Sequence, residues 1–332
     1  MLANAVPFSS NHRASCTDVK GTFTINQQAL YPENADFDFN ACLLYIGVLW
    51  NSSVGVYDPY KKSIEILEFP QITHNPEYHL GGVAANPHDN LISIVVDAGA
   101  AFNTNGRDIS GTNLLLKWDP IAKKELYRLN LTETTKGTYG GFQDVEFDSR
   151  GNVYVVGTFP ASILRVESNG TVINEWYKAS STASVTRFSG LAVKDDVLLS
   201  NDNANGGRLV RFDMTQAKGT PVAVHLTPAK SISGSDAIYL PPKYNGTVLL
   251  VAINGAGVEV LRSKDGKWTE AEDLGQVSNI VAAANGGIVT ATVQVGQSLF
   301  MVEEFFGDTQ PGTRKEFPFV DITEEVEKLV SK

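Results

Sequence analysis

The feature that most constrains how this chain can fold is an eight-residue segment that recurs at nearly regular intervals. Five copies superimpose without gaps, and AANGGIVT (283–290) is a weaker sixth copy. The five are PENADFDF (32–39), YHLGGVAA (78–85), GGFQDVEF (140–147), TRFSGLAV (186–193) and ISGSDAIY (232–239). Three of the intervals between successive fifth residues are 46 residues long. A repeat of this length is typical of the blades of a β-propeller.

The residues that follow each copy predict three further strands. A strongly apolar run such as CLLYIGVLW (42–50) comes first, then an alternating run such as VGVYDP, and then a more polar run such as SIEILEF (63–69). Gly, Asn, Asp and Pro separate the runs, as expected for turns between strands. Four strands in each of six units predict an all-β fold, a six-bladed β-propeller. The longest interval carries an insertion at 97–113, which we expect to lie at the working mouth of the channel.

The two ends of the chain are predicted to complete the sixth blade. IVTATVQV, SLFMVEEFF and FPFVDI supply three strands, and GTFTINQ (21–27) is left over as the fourth, closing the ring. The fifth repeat position of this blade is either Gly287 or Asn279. Residues 321–330 predict a short helix, with Asp321 and Glu324 as a capping box. We therefore expect residues 1–332 to form one domain, with an N-terminal extension at 1–20 and a C-terminal helix at 321–332.

Composition narrows the classes of partner. Asp and Glu number 37 against 27 Lys and Arg, so the net charge is −10, which disfavours binding to nucleic acid. No apolar run is long enough to span a membrane, and we expect a monomer. Cys16 and Cys42 either form a disulfide or are two buried thiols. Asn-x-Ser/Thr triplets at Asn51, Asn130 and two later sites favour the secretory pathway over the cytoplasm.

Acidic residues occupy the fifth repeat position of alternate blades. Asp36, Asp144 and Asp236 fall on blades one, three and five, with Gly82 and Gly190 between them. Because inner strands begin at one mouth of the channel, we expect the three carboxyls to converge there. They would then serve as general acid and base, or hold Ca²⁺. Alternatively, each aspartate accepts hydrogen bonds from backbone N–H groups of a neighbouring blade. The sequence leaves these three hypotheses open.

Loops at the same mouth carry aromatic and polar residues, a mixture that favours a small-molecule pocket. His74 and His79 are further catalytic candidates, with a structural role as the alternative for each. For the aromatic residues, burial between blades is the alternative. The predicted substrate-binding residues are Tyr31, Glu33, Trp50, Phe102, Arg107, Tyr139, Gln143, Phe159, Arg187, Asn201, Asp202 and Asn254.

Nearly the whole chain resembles one fungal propeller family. The resemblance is carried by FDFNACLLYIGVLWNSSVGVYDPYKKS, GGFQDVEFDSRGNVYVVGTFPASILRVESNGTVI and SLFMVEEFFGDTQPGTRKEFPFVDI. This family is shared by a major skin-yeast allergen and the trichothecene-cluster propeller protein of plant-pathogenic fungi. It is similar in fold to gluconolactonase and strictosidine-synthase propellers. In the metal-dependent gluconolactonases, residues at inner-strand starts hold a divalent cation, and the matching acidic positions here are Asp36, Asp144 and Asp236.

The resemblance implies a small-molecule-processing propeller of fungal secondary metabolism. We expect a ring-closing enzyme, without a redox cofactor, that forms a cyclic ether on a hydroxylated sesquiterpenoid of trichothecene type. Its partner would be a small apolar hydroxylated metabolite, with Asp144 and Asp236 as the first candidates for acid and base. A non-catalytic, secreted binder of lipid or metabolite, allergen-like or a virulence factor, is the alternative. A metal-dependent lactonase, with Ca²⁺ as its ion, is the second alternative.

Overall fold

The predicted six-bladed propeller is the fold of this protein. A computed structural model describes residues 16–180, 188–204, 206–310 and 312–332. These residues form six sheets, and the innermost strand of every sheet contributes to a chamber on the central channel. None of the helices in these ranges is long and apolar enough to cross a membrane.

The first strand of the chain does not belong to the blade that follows it. Blades one to three are regular antiparallel sheets, and the strands of each run outward from the channel in chain order. The first strand is β1 (Phe23–Asn26). Blade one contains β2 (Pro32–Asp38), β3 (Leu43–Val48), β4 (Ser53–Asp58) and β5 (Ser63–Leu67). Blade two contains β6 (Tyr78–Ala85), β7 (Ile92–Ala98), β8 (Leu114–Asp119) and β9 (Lys124–Asn130), and the short helices α1 (Gly99–Asn103) and α2 (Leu131–Thr135) follow β7 and β9. Blade three contains β10 (Gly140–Phe147), β11 (Val153–Phe159), β12 (Ser162–Val166) and β13 (Ile173–Lys178).

The remaining three blades are less regular. Blade four contains β14 (Phe188–Lys194), β15 (Val197–Asp202), β16 (Arg208–Asp213) and β17 (Val222–Ala223). The linker strand β18 (His225–Thr227) adds to blade five, which contains β19 (Ser235–Tyr239), β20 (Val248–Ile253), β21 (Gly257–Arg262) and β22 (Glu270–Ser278). After α3 (Ile280–Ala283), blade six contains β23 (Ile288–Val295), β24 (Ser298–Glu304) and β25 (Glu316–Asp321), and α4 (Thr323–Val330) ends the chain. Blade five thus has a fifth strand, because β18 pairs in parallel with β22.

The hydrophobic core is divided among the blade interfaces. In the described part of the chain, one buried cluster lies between each blade and the next. Both faces of a middle strand such as β11 therefore meet apolar neighbours, and every residue of β11 is buried. This explains why the second strand of each blade is a continuous apolar run rather than an alternating one.

The N-terminal strand closes the ring, as predicted. β1 pairs antiparallel with β25, with Phe23 opposite Phe319, and the Gly21 N–H donates to Asp321 Oδ2 at 2.7 Å. A disulfide between Cys16 and Cys42 joins the segment before β1 to blade one. The alternative of two free thiols is therefore wrong. Disulfides persist mainly in oxidising compartments, which agrees with the secretory location that remains a prediction.

Two boundaries at the C-terminal end differ from the sequence expectation. The inner strand of blade six begins at Ile288, so Gly287 and Asn279 both precede it, and Thr292 shares the channel chamber with Asp36. The helix begins two residues later than predicted. Asp321 accepts a hydrogen bond from the Thr323 N–H at 2.9 Å rather than forming the expected reciprocal pair with Glu324.

Neighbouring inner strands approach so closely that two repeat positions require glycine. A Cβ on Gly82 would lie 2.8 Å from Asp144 Cα, and one on Gly190 would lie 2.5 Å from the Ile238 backbone nitrogen. Backbone atoms cannot move aside as a flexible side chain can. Gly82 and Gly190 are therefore demanded by contact between blades.

Asp36 joins blade one to blade two, and Asp144 joins blade three to blade four. Asp36 Oδ2 accepts the Ala85 N–H at 2.8 Å, and Asp144 Oδ2 accepts the Leu191 N–H at 2.9 Å. Burial nevertheless raises the pKa of each carboxyl to about 7, although these N–H bonds oppose the shift. Glu303 is buried on β24, and burial likewise raises its pKa to about 7.

These carboxyls predict a stability that falls as pH rises. Between about pH 4, where carboxyls of the unfolded chain titrate, and about pH 7, the folded protein binds more protons than the unfolded chain. The free energy of unfolding should therefore decrease through this window and level off above it. Chemical denaturation should give a lower midpoint at about pH 8 than at about pH 5.

Glu303→Gln replaces one of these carboxyls with an amide of the same shape. The decrease in the free energy of unfolding between the two pH values should therefore become smaller. Glu324→Gln is the matched control because that side chain is 85% exposed, and it should leave the decrease unchanged. A free energy of unfolding that rises over this interval would contradict the burial of these carboxyls.

Ring closure predicts that β1 is needed for stability. Ile25 on β1 is 1% exposed and packs between blades six and one, so Ile25→Ala should lower the free energy of unfolding by about 2–5 kcal/mol. Thr24 is exposed on the same strand, and Thr24→Ala should change it by less than about 0.5 kcal/mol. Equal denaturation midpoints for Ile25→Ala and the unmodified protein would show that the C-terminal strands close the ring without β1.

Candidate functional site

A cavity of about 730 Å³ opens at the mouth where the inner strands begin. Its volume lies within the range of small-molecule sites. All six blades, or the loops that leave them, contribute to its lining. The lining residues are Glu33, Phe102, Asn105, Gln143, Phe159, Ser189, Asn203, Gly234, Ser235, Asp236, Asn254 and Phe306.

Irregularities in the inner strands bring polar side chains into this cavity. The pairing register shifts around Glu33 in β2, around Gln143 in β10 and next to Ser189 in β14. In β19 the shift falls between Ser235 and Ile238 and so includes Asp236. A bulged residue is released from the strand ladder and its side chain is re-aimed. The bulges therefore form a ring of polar groups at the floor of the cavity.

The three aspartates of the repeat do not converge at one mouth. Asp236 lines the cavity, whereas Asp36 and Asp144 lie in a separate chamber of about 40 Å³ further along the channel. Asp36 and Asp144 are paired within their strands, opposite Tyr45 and Val156, while Asp236 falls in the bulge. The same repeat position thus serves inter-blade bonding on two blades and faces the cavity on the third.

The polar side of the cavity is held by hydrogen bonds between blades four and five. Asn203 Nδ2 donates to Ser189 Oγ at 3.1 Å and to the Ser235 carbonyl at 2.7 Å. Asn201 is buried behind them, and its Nδ2 donates to the Asp236 carbonyl at 2.8 Å. These bonds fix the bulge that carries Asp236. Asn254 donates from its side chain to the Asp236 carboxyl.

The opposite side of the cavity is aromatic. Phe102 of α1 and Phe306 after β24 have ring centroids 5.8 Å apart. Trp50 packs behind both rings and donates from Nε1 to Glu304 Oε1 at 2.7 Å. His79 lies behind Phe102, with ring centroids 5.3 Å apart, and burial lowers its pKa to about 4. His79 is therefore a neutral packing residue of this wall at neutral pH.

Buried carboxyls surround the floor of the cavity. Burial raises the pKa of Glu33 well above its usual range, and the negative charges of Asp236, Glu304 and Asp97 raise it further. Burial raises the pKa of Asp236 to about 6, opposed by the hydrogen bond from Asn254. Asp97 and Glu304 have pKa values raised by burial to about 7 and about 8. Near neutral pH this floor can both donate and accept protons.

The aspartates do not provide the donor set that a Ca²⁺ ion needs. Asp36 and Asp144 accept backbone N–H bonds with their carboxyl oxygens, and Asp236 lines the cavity at the mouth rather than the chamber that contains the other two. Across residues 16–180, 188–204, 206–310 and 312–332, no three His, Cys, Asp or Glu side chains are arranged to hold a metal ion. Asp36, Asp144 and Asp236 therefore do not together form the cation site that the resemblance to gluconolactonases implies.

His74, a predicted catalytic residue, and several predicted binding residues lie outside the cavity lining. The His74 side chain is 65% exposed beside Glu68, and Arg107 donates to the Thr104 carbonyl of its own loop. Tyr139 packs between blades two and three. Asp202 pairs with a neighbouring arginine on its own blade. Arg187 falls outside the described residues.

Other predicted residues support the cavity without lining it. Tyr31 donates from its hydroxyl to Asp308 Oδ2 at 2.9 Å, and Arg314 donates to the same oxygen at 2.8 Å. These bonds hold the loop that follows β24 and carries Phe306. Trp50 supports the aromatic wall, and Asn201 supports the bulge at Asp236.

Sequence reasoning missed Asn105, Ser189, Asn203, Gly234, Ser235 and Phe306 among the lining residues. Phe306 could have been predicted from the sequence, since it lies in the loop between the second and third strands of blade six, which opens at the same mouth. No feature of the sequence indicated that Ser189 and Ser235 would line the cavity, because only the bulges bring them there.

Comparison with known proteins finds relatives that match this chain over most of its length. The family described as Mal s 1 allergenic protein-like matches residues 12–278. Trichothecene biosynthesis protein 14 of Trichoderma arundinaceum is 36% identical, over 94% of this chain and 90% of the relative. Core trichothecene cluster protein 14 of Fusarium sporotrichioides is 31% identical, over 94% of this chain and 87% of the relative.

A solved structure has the same fold. The crystal structure of the major Malassezia sympodialis allergen Mala s 1 matches with a TM-score of 0.81 and 20% identity, over 92% of this chain and 96% of that one. The resemblance of the three sequence stretches to the fungal propeller family is confirmed. With its six-bladed ring and a family match that covers most of its length, this chain belongs to the Mal s 1-like family of β-propellers.

Proposed function

We propose that this protein acts in trichothecene biosynthesis, as an enzyme that closes a cyclic ether on a hydroxylated sesquiterpenoid without a redox cofactor. The relatives named for trichothecene biosynthesis support the pathway class. The observation that carries the reaction class is a small-molecule cavity with an aromatic wall on one side and the raised-pKa carboxyls Glu33 and Asp236 on its floor.

The chemistry balances without an oxidant or reductant. A protonated carboxyl gives its proton to an allylic hydroxyl, whose carbon–oxygen bond breaks as water leaves. A second hydroxyl oxygen of the same molecule bonds to the allylic carbon, and its proton passes to a basic group. The net change is the loss of one water. A group that can donate and a group that can accept a proton are therefore the main requirement.

The remainder of the cavity suits such a substrate. Phe102 and Phe306 offer an apolar surface to a terpenoid skeleton, and Ser189 and Asn203 offer hydrogen bonds to hydroxyl groups. Holding the two reacting groups of one molecule together removes much of the entropy cost of ring closure. Exclusion of water by the aromatic wall also limits its competition as a nucleophile.

A non-catalytic binder of the same class of metabolite is the alternative function. The likeness to an allergen structure is a likeness of fold alone at 20% identity, so it does not favour binding over catalysis. The metal-dependent lactonase has no support from the donor groups, because Asp36 and Asp144 use their oxygens to bond neighbouring backbone.

The proposal predicts that purified protein accelerates cyclic-ether formation from an allylic sesquiterpene triol, followed by mass spectrometry against a buffer blank of equal pH. Phe306→Ala should raise KM by about 5- to 100-fold through lost apolar contact. Ile121→Ala is the matched control, since that side chain is 87% exposed, and it should leave KM unchanged. Measurable binding of the triol with no acceleration over buffer would favour the binder and end the enzyme proposal.

A further inference from the structure

We propose that Glu33 is the proton donor and Asp236 the proton acceptor of the ring closure, a division of roles that rests on the proposed function. Both carboxyls enter the cavity from bulges at the starts of inner strands, Glu33 from blade one and Asp236 from blade five. The two residues differ in the partners that the fold gives to their oxygens.

The surroundings of Glu33 favour its protonated form. Its Oε2 is shielded from solvent, and the described residues provide no hydrogen-bond donor to it. A negative charge on this carboxyl would therefore be unsolvated and unpaired, which is costly in a buried position. The carboxylates of Asp236 on β19, Glu304 on β24 and Asp97 on β7 add repulsion and raise its pKa further. Because the side chain lines the cavity, its proton is within reach of a bound molecule.

The surroundings of Asp236 disfavour its ionised form less than those of Glu33 do. Asn254 donates a side-chain hydrogen bond to the carboxyl and holds its pKa down to about 6 despite burial. Asn201 fixes the bulge through the Asp236 carbonyl, so the carboxyl keeps its direction into the cavity. The fold therefore favours a proton on Glu33 over a proton on Asp236. Two carboxyls whose environments separate their pKa values are the usual arrangement for paired acid and base roles.

The cycle closes within the pair. Glu33 protonates the leaving hydroxyl and becomes ionised, while Asp236 takes the proton of the attacking hydroxyl. Transfer of that proton from Asp236 back to Glu33, through water after product release, restores the starting state. Among the lining residues that the structure describes there is no Lys or Arg, so neither carboxyl has a cation there that would hold it ionised.

The experiment compares pH–rate profiles of the full chain acting on an allylic sesquiterpene triol. The unmodified protein should show a bell, falling on the acid side near pH 6 as Asp236 is protonated and on the alkaline side as Glu33 ionises. Glu33→Gln should lower kcat by about 100-fold or more and abolish the alkaline limb. Asp236→Asn should lower kcat similarly and abolish the acid limb. Both variants should keep KM within about threefold.

Two further variants keep the test decisive if Glu33→Gln or Asp236→Asn does not fold. Asn254→Ala removes the donor to Asp236 and should move only the acid limb to higher pH. Glu304→Gln removes a negative charge beside Glu33 and should move only the alkaline limb to lower pH. Asp213→Asn, an exposed hairpin residue far from the mouth, is the matched control and should leave both limbs in place.

The outcomes separate the two proposals. No acceleration by the unmodified protein would overturn the proposed function itself. Three other results would overturn the assignment of acid and base alone. One is a rate acceleration that persists in Glu33→Gln, and another is loss of the acid limb in Glu33→Gln with loss of the alkaline limb in Asp236→Asn. The third is a pH–rate profile whose limbs do not move in Asn254→Ala and Glu304→Gln.

Discussion

The close approach of the six inner strands around the channel is the contact on which the rest of this structure depends. Backbone comes so near backbone that Gly82 and Gly190 have no room for a side chain. Asp36 and Asp144 bridge two other gaps, from blade one to blade two and from blade three to blade four, where they accept hydrogen bonds from backbone N–H groups. Such contacts convert six separate sheets into a ring with a narrow channel, and the mouth of that channel becomes the cavity.

Bulges at the start of these strands give the cavity its polar floor. A regular strand would keep its side chains in strict alternation, half of them turned into the blade interfaces. The shift in register releases single residues, and Glu33, Gln143, Ser189 and Asp236 turn to the opening. The polar groups of the cavity therefore lie at strand ends where pairing is weakest, while the fully paired lengths of the strands supply rigidity.

The buried carboxyls at the floor of the cavity lower the free energy of unfolding. Carboxyls such as Glu33 and Glu304 are held where their charged forms are poorly solvated, so the folded protein is less stable at neutral pH than it would be with amides in their place. Groups of this kind persist where function requires a shifted pKa. The apolar interfaces between blades and the closure by β1 supply the stability that offsets this cost.

Local sequence patterns were enough to predict one part of this structure. Contacts between distant strands of the ring decided the rest. The repeat spacing and the apolar runs determined the six blades, the closure by residues 21–27 and the position of the C-terminal helix, because hydrophobic periodicity and turn residues act within one blade. The expectation that loops at the mouth carry aromatic and polar pocket residues found Phe102, Phe159 and Asn254. The sequence also showed Asp36, Asp144 and Asp236 at one repeat position, but it contained no sign of the bulge that separates Asp236 from the other two. That separation, the placing of Ser189 and Ser235, and the pairing of Trp50 with Glu304 were decided only by the tertiary structure. Each depends on the distance between strands far apart in the chain.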